Sequence, residues 1–234
     1  MASVQAPVQQ IAQIAPHSET SIMTNMTVLV GTNGTGKTTF LRQQANIALQ
    51  NMRRVLVICP DDKEWIDIPI TPLRNGHTED FRYSGIRRHI FDPKRTLKML
   101  KYFSNGIIIF DDCRAYLRAM TDDNLREILI RRRQLGVDIF AVGHGFNEIP
   151  PVFFTFATHF VVYLTRDNVE RRKNYINGFD AVKNKVEEVN AIASGKKPHP
   201  KNYNGVDADG NLLLEKYAYG EEGRYHQVCH YDLD

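Results

Sequence analysis

The chain has 234 residues, 42% hydrophobic and 24% charged, with a formal net charge of +3. That is the length of one large domain, or of one domain with an appendage, and the composition of an ordinary soluble globular protein. No apolar run reaches the roughly 20 residues needed to span a bilayer. The opening MASVQAPVQQIAQIAPHSETS lacks the basic start and apolar core of a signal peptide, and its Gln, Ala, Pro and Ser content predicts a flexible arm over residues 1–22. Cys59, Cys113 and Cys229, odd in number and far apart, fit a reduced, cytoplasmic protein better than a disulfide scaffold.

Along the chain, apolar runs alternate with helical patterns. MTVLV (Met26 to Val30) predicts a short buried strand, and TTFLRQQANIALQ a helix. RRVLVIC (Arg53 to Cys59) is a second strand. The segment from Pro69 to Phe91 is polar and contains glycine, and reads as an insertion or long loop. GIIIFDD (Gly106 to Asp112) is a third strand, and residues 122–136 form a helix with Asp near its start and Gly at its end. VDIFAV (Val137 to Val142) and THFVVYL (Thr158 to Leu164) are the fourth and fifth strands. Continuous β-branched runs alternating with helices call for a parallel sheet covered on both faces. Residues 23–165 read as this core and 166–234 as a small C-terminal α+β appendage packed on it. The appendage holds a helix with Val182, Val186, Val189 and Ala193 on one face, then a hairpin turning at Asp209-Gly210.

GTNGTGKT, from Gly31 to Thr38, matches the P-loop pattern in full and stands between a predicted strand and a predicted helix. Glycines here let the backbone wrap round a phosphate chain, so that loop N–H groups and the helix N-terminus face the anion. Gly31, Thr32, Asn33, Gly34, Thr35, Gly36, Lys37, Thr38 and Thr39 are the expected ATP-binding residues. Lys37 is expected on the β- and γ-phosphates, and the Thr38 hydroxyl on Mg²⁺. IIIFDD delivers Asp111 to the same sheet edge, where it can hold Mg²⁺, and Asp112 follows, where a carboxylate can orient or deprotonate the attacking water. AVGHG ends the fourth strand. His144 there can touch the γ-phosphate or the water, or be structural.

Arg131, Arg132 and Arg133 close the helix before that strand. Spacing puts Arg132 near the middle of the apolar face of Leu125, Ile128, Leu129 and Leu135, with Arg131 and Arg133 on its flanks. They are a solvated helix end, a DNA phosphate contact, or an arginine finger for a neighbouring subunit. Eight basic residues between Arg74 and Lys101 oppose Glu79, Asp80 and Asp92, a balance compatible with a polyanion partner or with solvated helix faces. His226, Cys229 and His230 lack a fourth metal ligand nearby and would not share a strand face, and Asp207 to Asn211 reads as a turn rather than a calcium loop.

VLVICPDDKEW (Val55 to Trp65) resembles the second-strand motif of the FtsK/HerA ATPases, in which an acid and then Glu-aromatic follow the strand. RQLGVDIFAVGH (Arg133 to His144) aligns without gaps to that family's Arg-x-x-Gly segment, fourth strand and sensor residue. Pro150, Pro151 and THFVVYL continue the resemblance, which covers about Thr24 to Thr165. The compact size is most similar to the genome-packaging ATPases of tailless, internal-membrane DNA viruses. The resemblance implies a RecA-like (ASCE) P-loop NTPase fold and a ring oligomer, usually a hexamer, that moves double-stranded DNA with ATP and Mg²⁺. It further implies a capsid or portal partner and residence in the host cytoplasm or with the virion. Arg133 matches the trans-acting finger and His144 the sensor. Two positions depart from the family pattern: Asp112 stands where Glu is usual, and His144 where Gln or Asn is usual. The residues alone leave open a small-molecule or nucleotide kinase, and a non-motor P-loop assembly or secretion factor. Pore-lining residues are expected first in the basic stretch from Arg74 to Arg95.

Overall fold

Strands with no polar face have to be covered on both sides, and the five apolar runs are so covered. The computed structural model describes residues 24–71, 73–74, 78–79, 81–116, 123–194, 196, 216–218 and 225–230. Its elements are β1 (Met26–Val30), α1 (Lys37–Gln50), β2 (Arg54–Cys59), β3 (Leu73–Arg74), β4 (Thr78–Glu79), β5 (Ile86–Ile90), α2 (Thr96–Leu100), β6 (Gly106–Phe110), α3 (Asp123–Leu135), β7 (Val137–Gly143), α4 (Pro151–Thr155), β8 (His159–Tyr163), α5 (Phe179–Ala193), β9 (Lys216–Ala218) and β10 (Tyr225–His230).

The main sheet runs β5-β2-β6-β7-β1-β8-β10-β9. The first six strands are mutually parallel, and β10 and β9 add to the β8 edge in antiparallel fashion. Side chains alternate between two cores, as the pleat requires. Val28, Leu56, Ile108, Ile139 and Phe160 meet α2, α3, α4 and α5 on one face. Leu29, Val57, Ile109, Phe140 and Val161 meet Phe40, Leu41, Ala45 and Ala48 of α1 on the other. Register levels the strand ends, pairing Val30 with Gly143 and Phe110 with Ala141. Gly31, Asp111 and His144 therefore leave the sheet at one edge, where ligands of open α/β sheets bind.

The segment from Pro69 to Phe91, expected to be an insertion or long loop, is not without regular structure. It contains β5, a sixth parallel strand beside β2, and the short β3–β4 hairpin. On its outer side β5 pairs only briefly, with Pro69 and Thr71, and its faces are half-buried, so IRRHI carries no apolar run to betray it. Arg88 is buried there with its Nε and Nη1 hydrogen-bonded: they donate to the carbonyls of Ile68 (2.9 Å), Asp62 (2.8 Å) and Glu64 (3.1 Å).

Beyond residue 165 the chain stays on the core. Asp167 accepts from the backbone and side-chain amides of Asn147, and Arg172 donates to the carbonyls of Phe146 and Asn147. In α5, Val182, Val186 and Val189 are buried, whereas Ala193 is only partly so. The β9–β10 pair is antiparallel, while the turn expected at Asp209-Gly210 lies outside the described residues.

Candidate active site

The loop from Gly31 to Gly36 is tied to both neighbours of β1. Gly31 N donates to Gly143 O (3.2 Å) and Thr32 N to Leu164 O (2.8 Å). A Cβ at Gly31 would stand 2.4 Å from Cβ of Tyr163, so only glycine fits. Gly36, at φ 97°, turns the chain into α1 through a left-handed conformation that side chains disfavour. Thr35 closes the loop by donating to Thr32 O (2.8 Å). Gly31, Thr32 and Thr35 thus shape the loop. Asn33, Gly34, Gly36, Lys37, Thr38 and Thr39 line a cleft of about 490 Å³, completed by Glu64, Asp111, Asp112, Arg114 and His144. That volume is of the size that holds a small-molecule ligand.

Lys37 is buried and turned onto its own loop. Its Nζ donates to Gly31 O (2.5 Å) and Thr32 O (2.9 Å) and lies 3.4 Å from His144 Nδ1. Burial draws its pKa down, against the opposing pull of Asp111, Asp112 and Glu148. A phosphate chain would offer the ammonium charged acceptors in place of neutral carbonyls.

Asp111 accepts from Trp65 Nε1 at 2.6 Å through Oδ2 and from the Asp112 backbone N–H at 3.1 Å through Oδ1. Burial raises its pKa most, while these two hydrogen bonds draw it down. Asp112 has φ 47°, uncommon for a residue with a side chain, and its buried Oδ1 has no hydrogen-bond partner among the described residues. Its Oδ2 is 3.8 Å from Arg114, whose other nitrogen is 3.6 Å from Glu148. Glu148 also accepts from the His144 backbone N–H (2.9 Å). Asp112, His144 and Glu148 thereby bring ligand-capable atoms within 4.8 Å of one another. Burial, then the charge of Asp111, raises the pKa of Glu64 across the cleft.

The three arginines part company. Arg131 pairs with Glu127 at 2.9 Å. Arg132 is buried, donates Nη1 to Leu129 O (2.9 Å) and leaves Nε without a partner; burial lowers its pKa. Arg133 is exposed, and its side chain has no hydrogen bond or ion pair among the described residues. It stands at the sheet edge opposite the cleft. The seven residues of β7 lie between it and His144, about 23 Å at the usual strand rise and far beyond an arginine's reach.

Four residues at or against this site carry no role legible in the sequence alone. Glu64 and Trp65 belong to the Glu-aromatic pair that follows β2, and that order is their only sequence signal. Arg114 and Glu148 sit in short 3-10 turns, which carry no pattern.

No protein-family model and no curated protein matches the sequence. Among solved structures, the chain is similar to the genome packaging NTPase B204 from Sulfolobus turreted icosahedral virus 2. Its complex with AMPPCP matches at a TM-score of 0.53 and 13% identity, over 70% of this chain and 86% of that one. Its complex with ATP-gammaS matches at 0.54 and 13% identity, over 71% and 86%. B204, the DNA-packaging ATPase from Sulfolobus turreted icosahedral virus, matches at 0.54 and 13%, over 70% and 87%. The fold is that of a P-loop NTPase. The similarity lies in architecture rather than sequence, and it fits the resemblance to FtsK/HerA ATPases carried by Val55 to Trp65 and Arg133 to His144. Among the described residues no helix of this P-loop NTPase fold is long and apolar enough to cross a membrane.

Proposed function

We propose that the chain is an ATP-hydrolysing DNA translocase of the genome-packaging kind, working as a ring, with six subunits expected. The observation that carries this reading is the division of the catalytic groups between two edges of one sheet. Lys37, Asp111, Asp112 and His144 share the cleft, and Arg133 is free at the opposite edge. A finger that cannot reach its own site serves a neighbour's, and head-to-tail contacts of that kind close into rings. Ile130, 58% exposed and three residues before Arg133, gives the same helix face an apolar contact.

Within the cleft, loop N–H groups and Lys37 hold the phosphates. Thr38 and Asp111 fit Mg²⁺: both offer hard oxygen donors, and the hydrogen bonds to Asp111 favour its ionised form. The ion neutralises charge on the phosphate oxygens when bound. Asp112, with one buried oxygen unpartnered, accepts the proton of the attacking water. His144, fixed through its backbone by Glu148, senses the γ-phosphate.

DNA is the load that the basic surface favours. Between residues 81 and 102 there are seven Lys and Arg and a single acid, Asp92, whose Oδ1 is taken by the backbone N–H groups of Lys94 and Arg95. Arg88 is removed from this set by burial, which moves the candidate DNA surface from Arg74–Arg95 toward the exposed Lys94, Lys98 and Lys101. A capsid or portal component in the host cytoplasm or the virion is the matching partner.

The test is ATP turnover with and without double-stranded DNA. Stimulation supports a motor. Turnover indifferent to DNA overturns it, and phosphate transfer to an added nucleoside monophosphate would establish a kinase instead.

A further inference from the structure

The cleft-facing carboxylate Asp111 is held by a residue outside the P-loop and outside β6. Trp65 is 4% exposed, and its Nε1 lies 2.6 Å from Asp111 Oδ2. The indole N–H is a donor only, so the bond favours an ionised carboxylate as acceptor and fixes the orientation of Oδ2, while Oδ1 accepts from the Asp112 backbone N–H.

One further contact bears on the indole ring, and others hold the backbone that carries it. Arg42 of α1 stacks over the ring, its guanidinium carbon 4.5 Å from the centroid, and is itself held by a two-pronged bond to Asp67 at 2.7 Å per prong. Arg42 is one helical turn after Thr38, on the same face of α1. Arg88 binds the carbonyls of Asp62, Glu64 and Ile68, and the Ile68 N–H donates to Trp65 O at 2.8 Å, which fixes the backbone on either side of Trp65. Trp65 takes φ 51°, a conformation an aromatic residue keeps only when its surroundings impose it.

We propose that Trp65 is the positioning residue for the metal-binding carboxylate, aligning Asp111 with Thr38 through the Arg42 stack. The proposal rests on the Mg²⁺-nucleotide reading of the cleft and is independent of DNA. Partners that orient a metal ligand from behind typically contribute about 10- to 100-fold in metal affinity.

Trp65→Phe keeps the ring and removes the N–H. With AMPPCP bound, Mn²⁺ affinity measured by electron paramagnetic resonance should fall about tenfold or more, while metal-free AMPPCP affinity stays within about twofold. Equal Mn²⁺ affinity in the two proteins overturns the proposal and leaves the nucleotide site standing. Wild-type protein that takes up no Mn²⁺ with AMPPCP overturns the nucleotide reading itself. Trp65 is the only tryptophan in the chain, so a ¹⁵N-labelled sample gives one indole N–H resonance. Mn²⁺ should broaden that resonance only when AMPPCP is present. An unaffected resonance overturns the proposal without any need for the variant to fold.

Discussion

At the scale of single residues, three consecutive arginines of identical chemistry have three different fates. Helix geometry turns Arg132 into the core, lets Arg131 reach Glu127 one turn back, and leaves Arg133 in solvent. Arg132 gains one carbonyl and loses its hydration, a poor exchange that an apolar residue of similar volume improves. Arg132→Met should therefore fold and hydrolyse ATP within about twofold of the parent, whereas Arg133→Ala should lose on the order of 10³-fold or more in turnover. Lys37→Ala should also be inactive. Mixing it with Arg133→Ala protein should restore part of the phosphate release, because some mixed interfaces pair an intact P-loop with an intact finger. No rescue between assembled variants would rule out action across the interface.

At the scale of elements, α2 and the turns around it bring together what the linear charge pattern only hinted at. Lys94, Lys98 and Lys101 follow at helical spacing and are exposed, as is Tyr102, 71% open to solvent with Lys101 Nζ 5.2 Å from its ring. Each cation that neutralises one DNA phosphate contributes about 0.9 to the slope of log affinity against log salt. Replacing the three lysines by Gln should lower that slope by about 3 and leave DNA-free turnover unchanged. An unaltered slope would place the DNA elsewhere. The strand β5 is hidden in the sequence for a related reason. Its arginines look solvated in the sequence, yet Arg88 is buried and clamps the loop that carries Glu64 and Trp65.

At the scale of the whole molecule, the residues after 165 are bound to the site through the loop that follows β7. Asp167 and Arg172 hold residues 146–149, beside His144, and α5 packs on β8 and β10. A fragment ending at Thr165 would expose the apolar surface that Val182 and Val186 cover and would release those hydrogen bonds. It should melt well below the full chain, or fail to fold, in a circular-dichroism thermal scan. An unchanged midpoint would show that the segment is an independent attachment.

The amino-acid sequence by itself determined the five apolar strands, the P-loop between β1 and α1, and the arrival of Asp111 at the edge where Gly31 leaves. Each is written in a local pattern: a continuous β-branched run, glycines at fixed spacing, an acid closing a strand. The tertiary structure decided the rest. It added the sixth parallel strand, gave the three arginines different surroundings, and put Glu64 and Arg114 on the cleft with Glu148 beside Arg114. It also set the Trp65 indole against Asp111 across 46 residues of chain. These depend on partners distant in sequence, whose mutual distance is fixed only when the sheet closes and both of its faces are covered.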